Sequence, residues 1–370
     1  MCAHDIPQSA TSSAKVWRPD DDHNVDSLVA SLHEHAEHSD VLDAIESCIE
    51  SASEDLRKLS IRIHDLPELK FEEKHAHDAL TEFIEKAGFT VERHYLLPTA
   101  WKATYARGNG GRTIGINSEM DALPGVGHAC GHNLIAIAGV AVALAIKAAM
   151  EKLDVAGTIV LLGTPGEEMG FGKDILFEKG AYEGMDACLM CHPAPGPPSS
   201  VSLSSCLALV RYEVKYSGHA WIVRAPLMAD ARETAKRVTA CFEAAALASG
   251  CKVTVTELAH PAFDLRQNTA LGAELAGIVQ SRYGFIDYEW GIKDASTDFG
   301  RISYAIPTED NGGNHTPAFT ESARTVEAHK VSLNVSKALA GVGIKVLMDE
   351  DFARKVKESF EEDKKQRGAV

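Results

Sequence analysis

The chain has 370 residues, 45% of them apolar and 24% charged, a balance that excludes wholesale disorder and fibrous architectures and suits two domains, or one large domain carrying an insertion. Its 37 Lys and Arg against 53 Asp and Glu leave a formal charge of −16, which repels nucleic-acid phosphate and anionic lipid. A small molecule or a metal is the better match, and neither nucleic acid nor membrane is expected as a partner.

In chain order, residues 1–24 are polar, carry the acid run Asp20-Asp21-Asp22 and are expected to be a disordered N-terminus. They contain no apolar stretch of the kind a secretory signal needs and are too acidic for a transit peptide, which points to a cytoplasmic protein. From Val25 to Ala87 apolar residues recur at helical spacing, as in Leu42, Ile45, Ile49 and then Ala79, Leu80, Phe83, Ile84, predicting two or three helices. TVERHY, TIGINSEM and TIVLLGTP then predict strands, separated by helical stretches such as Asn133 to Met150. The uncharged run from Leu134 to Ile146 is too short to span a bilayer and predicts a buried helix. This alternation implies an α/β fold, a mixed sheet sandwiched by helices.

Between residues 206 and 259 the pattern changes. LALVRYEVKYSG and KVTVTEL alternate as half-exposed strands around one amphipathic helix, Ala231 to Ala248, so a small α+β subdomain is expected there, inserted between 25–205 and 260–370. Afterwards come a helix from Asn268 to Tyr283, a Gly-rich loop from Asn311 to His315, a helix from Val326 to Leu339 and a charged, frayed terminal helix.

Three motifs are decoys. Cys188-Leu189-Met190-Cys191-His192 matches a haem-attachment pattern, which would require export to an oxidising compartment. His33-Glu34-His35-Ala36-Glu37-His38 imitates a zincin helix but has Glu37 where the second His belongs. Gly125, Gly127 and Gly131 miss the dinucleotide spacing by one residue. The eight cysteines show no disulfide framework, and a reducing compartment would keep them as thiols.

The chemistry concentrates elsewhere. Glu119-Met120-Asp121, His128-Ala129-Cys130-Gly131-His132, Glu167-Glu168 and His192 place metal-ligand residue types where strands are expected to end, and Gly313-Asn314-His315-Thr316 follows far downstream. Adjacent strand residues face opposite ways, so the carboxylates of Glu167 and Glu168 can converge only if Pro165 and Gly166 open a turn.

Six ordered motifs, PELKFEE at 67–73, EMDALP, GHACGHN, GTPGEE, CHP and GNHTPAF, resemble the zinc metallopeptidases and amidohydrolases of peptidase family M20, nearest the branch of M20 domain-containing protein 2 dipeptidases. The resemblance covers nearly the whole chain beyond residue 40. It implies a zinc-exopeptidase-like catalytic domain in which Cys130, His132, Glu168, His192 and His315 hold two metal ions, Zn²⁺ or alternatively Mn²⁺. Glu167 would be the general base of amide hydrolysis, Asp121 would orient a ligand, and Glu119 would stand where some relatives place a metal-binding His. Imidazole, thiolate and carboxylate together suit those ions.

The inserted segment departs from the family, whose lid has four strands and two helices. Here His219-Ala220 runs almost directly into Trp221-Ile222-Val223-Arg224-Ala225-Pro226, so that a helix and at least one strand are expected to be missing. Arg224 matches a lid arginine able to hold a substrate carboxylate, and His219 weakly resembles the lid histidine. The family's dimer contact lies in the missing part, which predicts a monomer or a differently built homodimer. Three functions remain open at this level: hydrolysis of a dipeptide or N-acyl amino acid, recruitment to amide formation or rearrangement in specialised metabolism, and metal binding without turnover.

Overall fold

A six-stranded mixed sheet forms the centre of the fold, and helices cover it. The structure is a computed structural model that describes residues 39–194, 196–197, 199–203, 206–215, 219–287, 296–297, 308–309 and 315–367. The N-terminal stretch 1–24, the His33–His38 decoy and residues 311–314 of the Gly-rich loop lie outside the described residues.

Helices α1 (Ser39–His64) and α2 (Lys74–Lys86) come first, each burying an apolar stripe that includes Ile45, Ile49, Leu56 and Leu80, Ile84. Strands β1 (Thr90–Arg93), β2 (Trp101–Arg107) and β3 (Arg112–Glu119) follow, then helix α3 (His132–Leu153) and strand β4 (Gly157–Thr164). The short helices α4 (Glu167–Gly170) and α5 (Gly172–Glu178) lead to strand β5 (Ala187–Leu189). In the sheet the order is β1-β2-β4-β3-β5-β11, where β11 is Thr308–Glu309. Strands β3, β4, β5 and β11 run parallel, β2 joins β4 antiparallel at one edge, and β1 pairs antiparallel with β2. The mixed sheet predicted from the alternating pattern is therefore present.

Helix α3 is buried almost all round because its sequence, IAIAGVAVALAI, offers no polar face. It packs on β3 and between α1 and the late helix α9 (Val326–Met348). By length and composition α3 and α9 could each cross a membrane, but both are largely buried core helices.

Beyond β6 (Ser200–Ser202), a separate three-stranded antiparallel sheet has the order β8-β7-β9, from β7 (Ala208–Lys215), β8 (His219–Ala225) and β9 (Thr254–Glu257). One helix, α6 (Met228–Ser249), packs on it through Met228 and Ala231 against Ala208 and Val210. The chain returns through α7 (Thr269–Arg282), β10 (Phe285–Asp287), β11 and α8 (Pro317–Ala323) to α9, and ends in α10 (Glu350–Arg367).

Two features of the sequence reading need refinement. TVERHY ends as a strand at Arg93, because His94 turns into the left-handed region with φ 55°. The helix expected to stop at Leu339 continues to Met348, since VGIKVLM keeps burying its apolar positions.

Candidate metal centre

Parallel strands deliver the site. The carboxyl ends of β3 and β4 lie side by side, with Glu119 opposite Thr164, and β5 ends next to them. The loops that leave these ends, 120–131, 165–166 and 190–194, carry Asp121, Cys130, the Glu167-Glu168 pair and His192 onto one edge. His132 opens α3, and Gly131 before it stands at φ 75°, where a Cβ would meet Pro193 at 2.5 Å. Only glycine fits that approach.

The turn at Gly166 answers the geometric condition posed by two adjacent acids. Gly166 is left-handed, φ 67°, and a Cβ there would lie 2.9 Å from the Phe71 ring. Three successive backbone N–H groups in this turn donate to buried carboxylates: Gly166 to Glu73 Oε1 at 2.8 Å, Glu167 to Asp121 Oδ1 at 3.2 Å and Glu168 to Asp121 Oδ2 at 2.9 Å. Glu73 also accepts the Phe71 N–H at 2.9 Å and the Thr99 hydroxyl at 2.6 Å. Both neighbouring acid side chains thereby reach the same set of donors as His132.

Three groups of potential ligand atoms lie within 4.8 Å of one another: Cys130, His132 and His192; Cys130, Glu168 and His315; and His132, Glu167 and Glu168. Cys130 Sγ is 3.4 Å from His192 Nε2, and His315 Nε2 is 3.1 Å from Glu168 Oε1. His132 lies between two buried acids, with Nδ1 3.1 Å from Asp121 and Nε2 3.2 Å from Glu119. Glu119 in turn pairs with buried Lys173 at 2.6 Å.

The electrostatics match a cation site. Burial by itself would raise the Cys130 thiol, but the His192 and His132 imidazoles bring it well below its ordinary value. Burial works against charge on His132 too, yet Glu119 and Asp121 hold its imidazolium well above the usual range. Hydrogen bonds to Cys130 and Glu168 raise His315 to about 10. Burial raises Glu168, against the pull of His315. His132 Nε2 and Glu168 Oε1 are sealed from solvent and face Glu119 and His315. Thiolate, imidazole and carboxylate atoms crowded in this way fit divalent metal better than they fit one another.

The structure thus brings together Cys130, His132, Glu167, Glu168, His192, His315 and Asp121. Arg224 stands apart, exposed on β8. The backbone of His219 pairs with Val214 at the start of β8, while its side chain lies outside the described residues. His128 is buried against His64, ring centroids 6.0 Å apart, and belongs to none of the three groups. Glu73, Lys173 and Arg211 carried no role in the sequence reading. Glu73 lies within PELKFEE, so its motif was visible although its partner, 93 residues away, was not.

Residues 115–309 match the family model of peptidase family M20/M25/M40. A human protein, Xaa-Arg dipeptidase, is 33% identical over 393 residues, covering 85% of this chain and 90% of the relative. Its mouse counterpart is 31% identical over 392 residues, covering 84% and 90%. The human alignment runs over more positions than this chain has residues, so several tens of positions in the relative have no counterpart here. Among solved structures, a Bacillus subtilis protein described as a dinuclear metal-binding peptidase of the M20 family shares the fold at a TM-score of 0.68 with 16% identity, over 81% of this chain and 99% of that one. Fold, loop motifs and similarity over most of both chains lead to one conclusion: the chain belongs to peptidase family M20/M25/M40, metal-dependent hydrolases of peptide and amide bonds.

Proposed function

We propose that this protein hydrolyses the amide bond of a dipeptide or N-acyl amino acid, with Cys130, His132, Glu168, His192 and His315 holding two zinc ions and Glu167 acting as general base. The convergence of three donor groups around the Glu167-Glu168 turn carries this reading. Divalent ions held by these residues would lower the pKa of a bound water and polarise the scissile carbonyl.

The side chains of this chain do the rest. Glu167, half-buried beside its ligand neighbour, takes the proton of the attacking water and returns it to the departing amine. Asp121 grips the backbone of both acids and the Nδ1 side of His132, holding base and ligand in one frame. The β8-β7-β9 sheet with α6 serves as a shortened lid. Arg224 pairs across β7 with Leu209, a residue packed on Phe171 of the catalytic loop, and from that face it would meet the substrate carboxylate. His219 lies on the same strand and is assigned to the substrate side of the lid. Seven free thiols among the described residues support a reducing, cytoplasmic setting.

The test is release of free amino acid from a panel of dipeptides and N-acetyl amino acids by protein loaded with Zn²⁺ or Mn²⁺, with Glu167→Gln as control. Turnover abolished in the variant supports the reading. Absence of turnover across the panel, or turnover equal in the variant, overturns it.

A further inference from the structure

We propose that Arg211 and Arg224 form an anion subsite that selects substrates whose amine half carries a second carboxylate, as glutamate and aspartate do. The inference rests on the amide-hydrolase reading above and extends it to the class of leaving group.

Strand register puts the two arginines on one face. In the antiparallel β7–β8 pair, Arg211 lies opposite Ile222 and Leu209 opposite Arg224, so Arg211 and Arg224 are diagonal neighbours on the side away from Val210 and Val223. Val210 belongs to the cluster formed with α6, whereas Leu209 clusters with Phe171 and Ala262. The arginine face therefore looks toward the catalytic loop.

Arg211 reaches that loop. Its guanidinium carbon lies 4.3 Å from the centre of the Phe171 ring, and Nη1 is 3.9 Å from Met169 Sδ, on the residue that follows Glu168. Nη2 makes a long contact, 3.5 Å, with the Ala259 carbonyl, and Nε is sealed without a hydrogen-bond partner. Each Nη thus makes one weak contact and keeps a second N–H for another acceptor. Lys70 adds a third cation, its Nζ donating to the Met169 carbonyl at 3.4 Å.

The charge pattern is the physical argument. Two like charges at diagonal positions repel, and a chain with 53 acids has ample means to neutralise them. Yet among the described residues no carboxylate pairs with either guanidinium within 4.0 Å. A planar, stacked guanidinium with free donors beside a metal-ligand loop suits a carboxylate supplied by a ligand. With Arg224 taking one carboxylate and Arg211 the other, a dicarboxylic amine half satisfies both.

The experiment compares N-acetyl-L-glutamate with its neutral near-isostere N-acetyl-L-glutamine on metal-loaded enzyme. We expect kcat/KM to favour glutamate by about tenfold or more, the scale of one charged hydrogen bond. The ratio should fall toward one in Arg211→Gln and recover partly in Arg211→Lys. Equal rates on both substrates, or a ratio unmoved by Arg211→Gln, would overturn the subsite. Calorimetric titration of L-glutamate and L-glutamine gives a second reading independent of turnover: glutamate should bind at least about tenfold tighter, and the difference should vanish in Arg211→Gln. If neither amide is hydrolysed, the hydrolase reading fails while the titration still decides the subsite. Should Arg211→Gln unfold, Arg211→Lys, which keeps the charge but not the planar fork, carries the same comparison, and a ratio equal to that of the unaltered protein would also count against the subsite.

Discussion

Asp121 Oδ2 accepts the backbone N–H of Glu168 at 2.9 Å, while Oδ1 of the same carboxylate faces His132 Nδ1 at 3.1 Å. One buried acid therefore fixes both a ligand-bearing turn and the orientation of an imidazole on a different element. Its Coulomb partner sets its charge as well: burial would raise Asp121, but His132 and the two N–H groups hold it below the ordinary carboxylate range.

Asp121→Asn should keep the fold but weaken metal binding about 10- to 100-fold, the usual scale for an orienting partner of a metal-bound histidine. The amide offers one acceptor oxygen where the carboxylate offers two. Competition with a metal indicator dye measures the loss, and unchanged affinity would show that His132 needs no such partner.

The two adjacent acids should separate in their effects. Glu167→Gln should retain metal and lose about 10²- to 10⁴-fold in kcat, the range for a general base, whereas Glu168→Ala should lose metal first. Metal content after dialysis, read beside single-turnover rates, distinguishes the two roles.

Glu73 predicts a pH dependence of stability. Burial, aided by Asp121, raises its carboxyl to about 7. The unfolded chain releases that proton at an ordinary glutamate pKa near 4.3, so the folded state binds the extra proton between these values. Stability from this group is full below about pH 4 and is lost as pH rises through 7, a change of about 1–3 kcal/mol. Glu73→Gln, a neutral isostere, should remove that slope. Thermal unfolding of metal-free protein from pH 5 to 9 tests it, and parallel curves for the two proteins would refute the assignment.

Lys173 and Glu119 form an ion pair with both side chains essentially excluded from water. Lys173→Met leaves the buried Glu119 carboxylate with His132 as its remaining cationic neighbour and should destabilise by up to about 3–5 kcal/mol, while the double change with Glu119→Gln should restore much of the loss. Denaturant unfolding of the two variants decides whether the pair is coupled in this way.

The described lid sheet has three strands and one helix. A contact surface reduced in this way is expected to fall short of the roughly 1,000 Å² of a stable interface, so the protein should be monomeric at micromolar concentration. Light scattering over a concentration series would detect a dimer, which could form by pairing of strand edges instead.

The sequence by itself determined the elements whose patterns are long. α3 was legible as an uninterrupted apolar run, β3 and β4 as apolar strands with turn residues after them, and α6 as an amphipathic helix, because each repeats its signal over enough residues to be counted. The donor types were equally legible, since thiol, imidazole and carboxylate groups placed at strand ends name a metal chemistry without coordinates. Strands β5, β6, β10 and β11 were not visible, as two or three residues cannot display a period. Only the tertiary structure decided that Glu73 holds the turn before Glu167, that Lys173 neutralises Glu119 and that Arg211 lies against Phe171, paired with no acid among the described residues. Those pairings join residues tens of positions apart, and whether a charge is buried, matched or left for a ligand depends on packing, which local spacing does not encode.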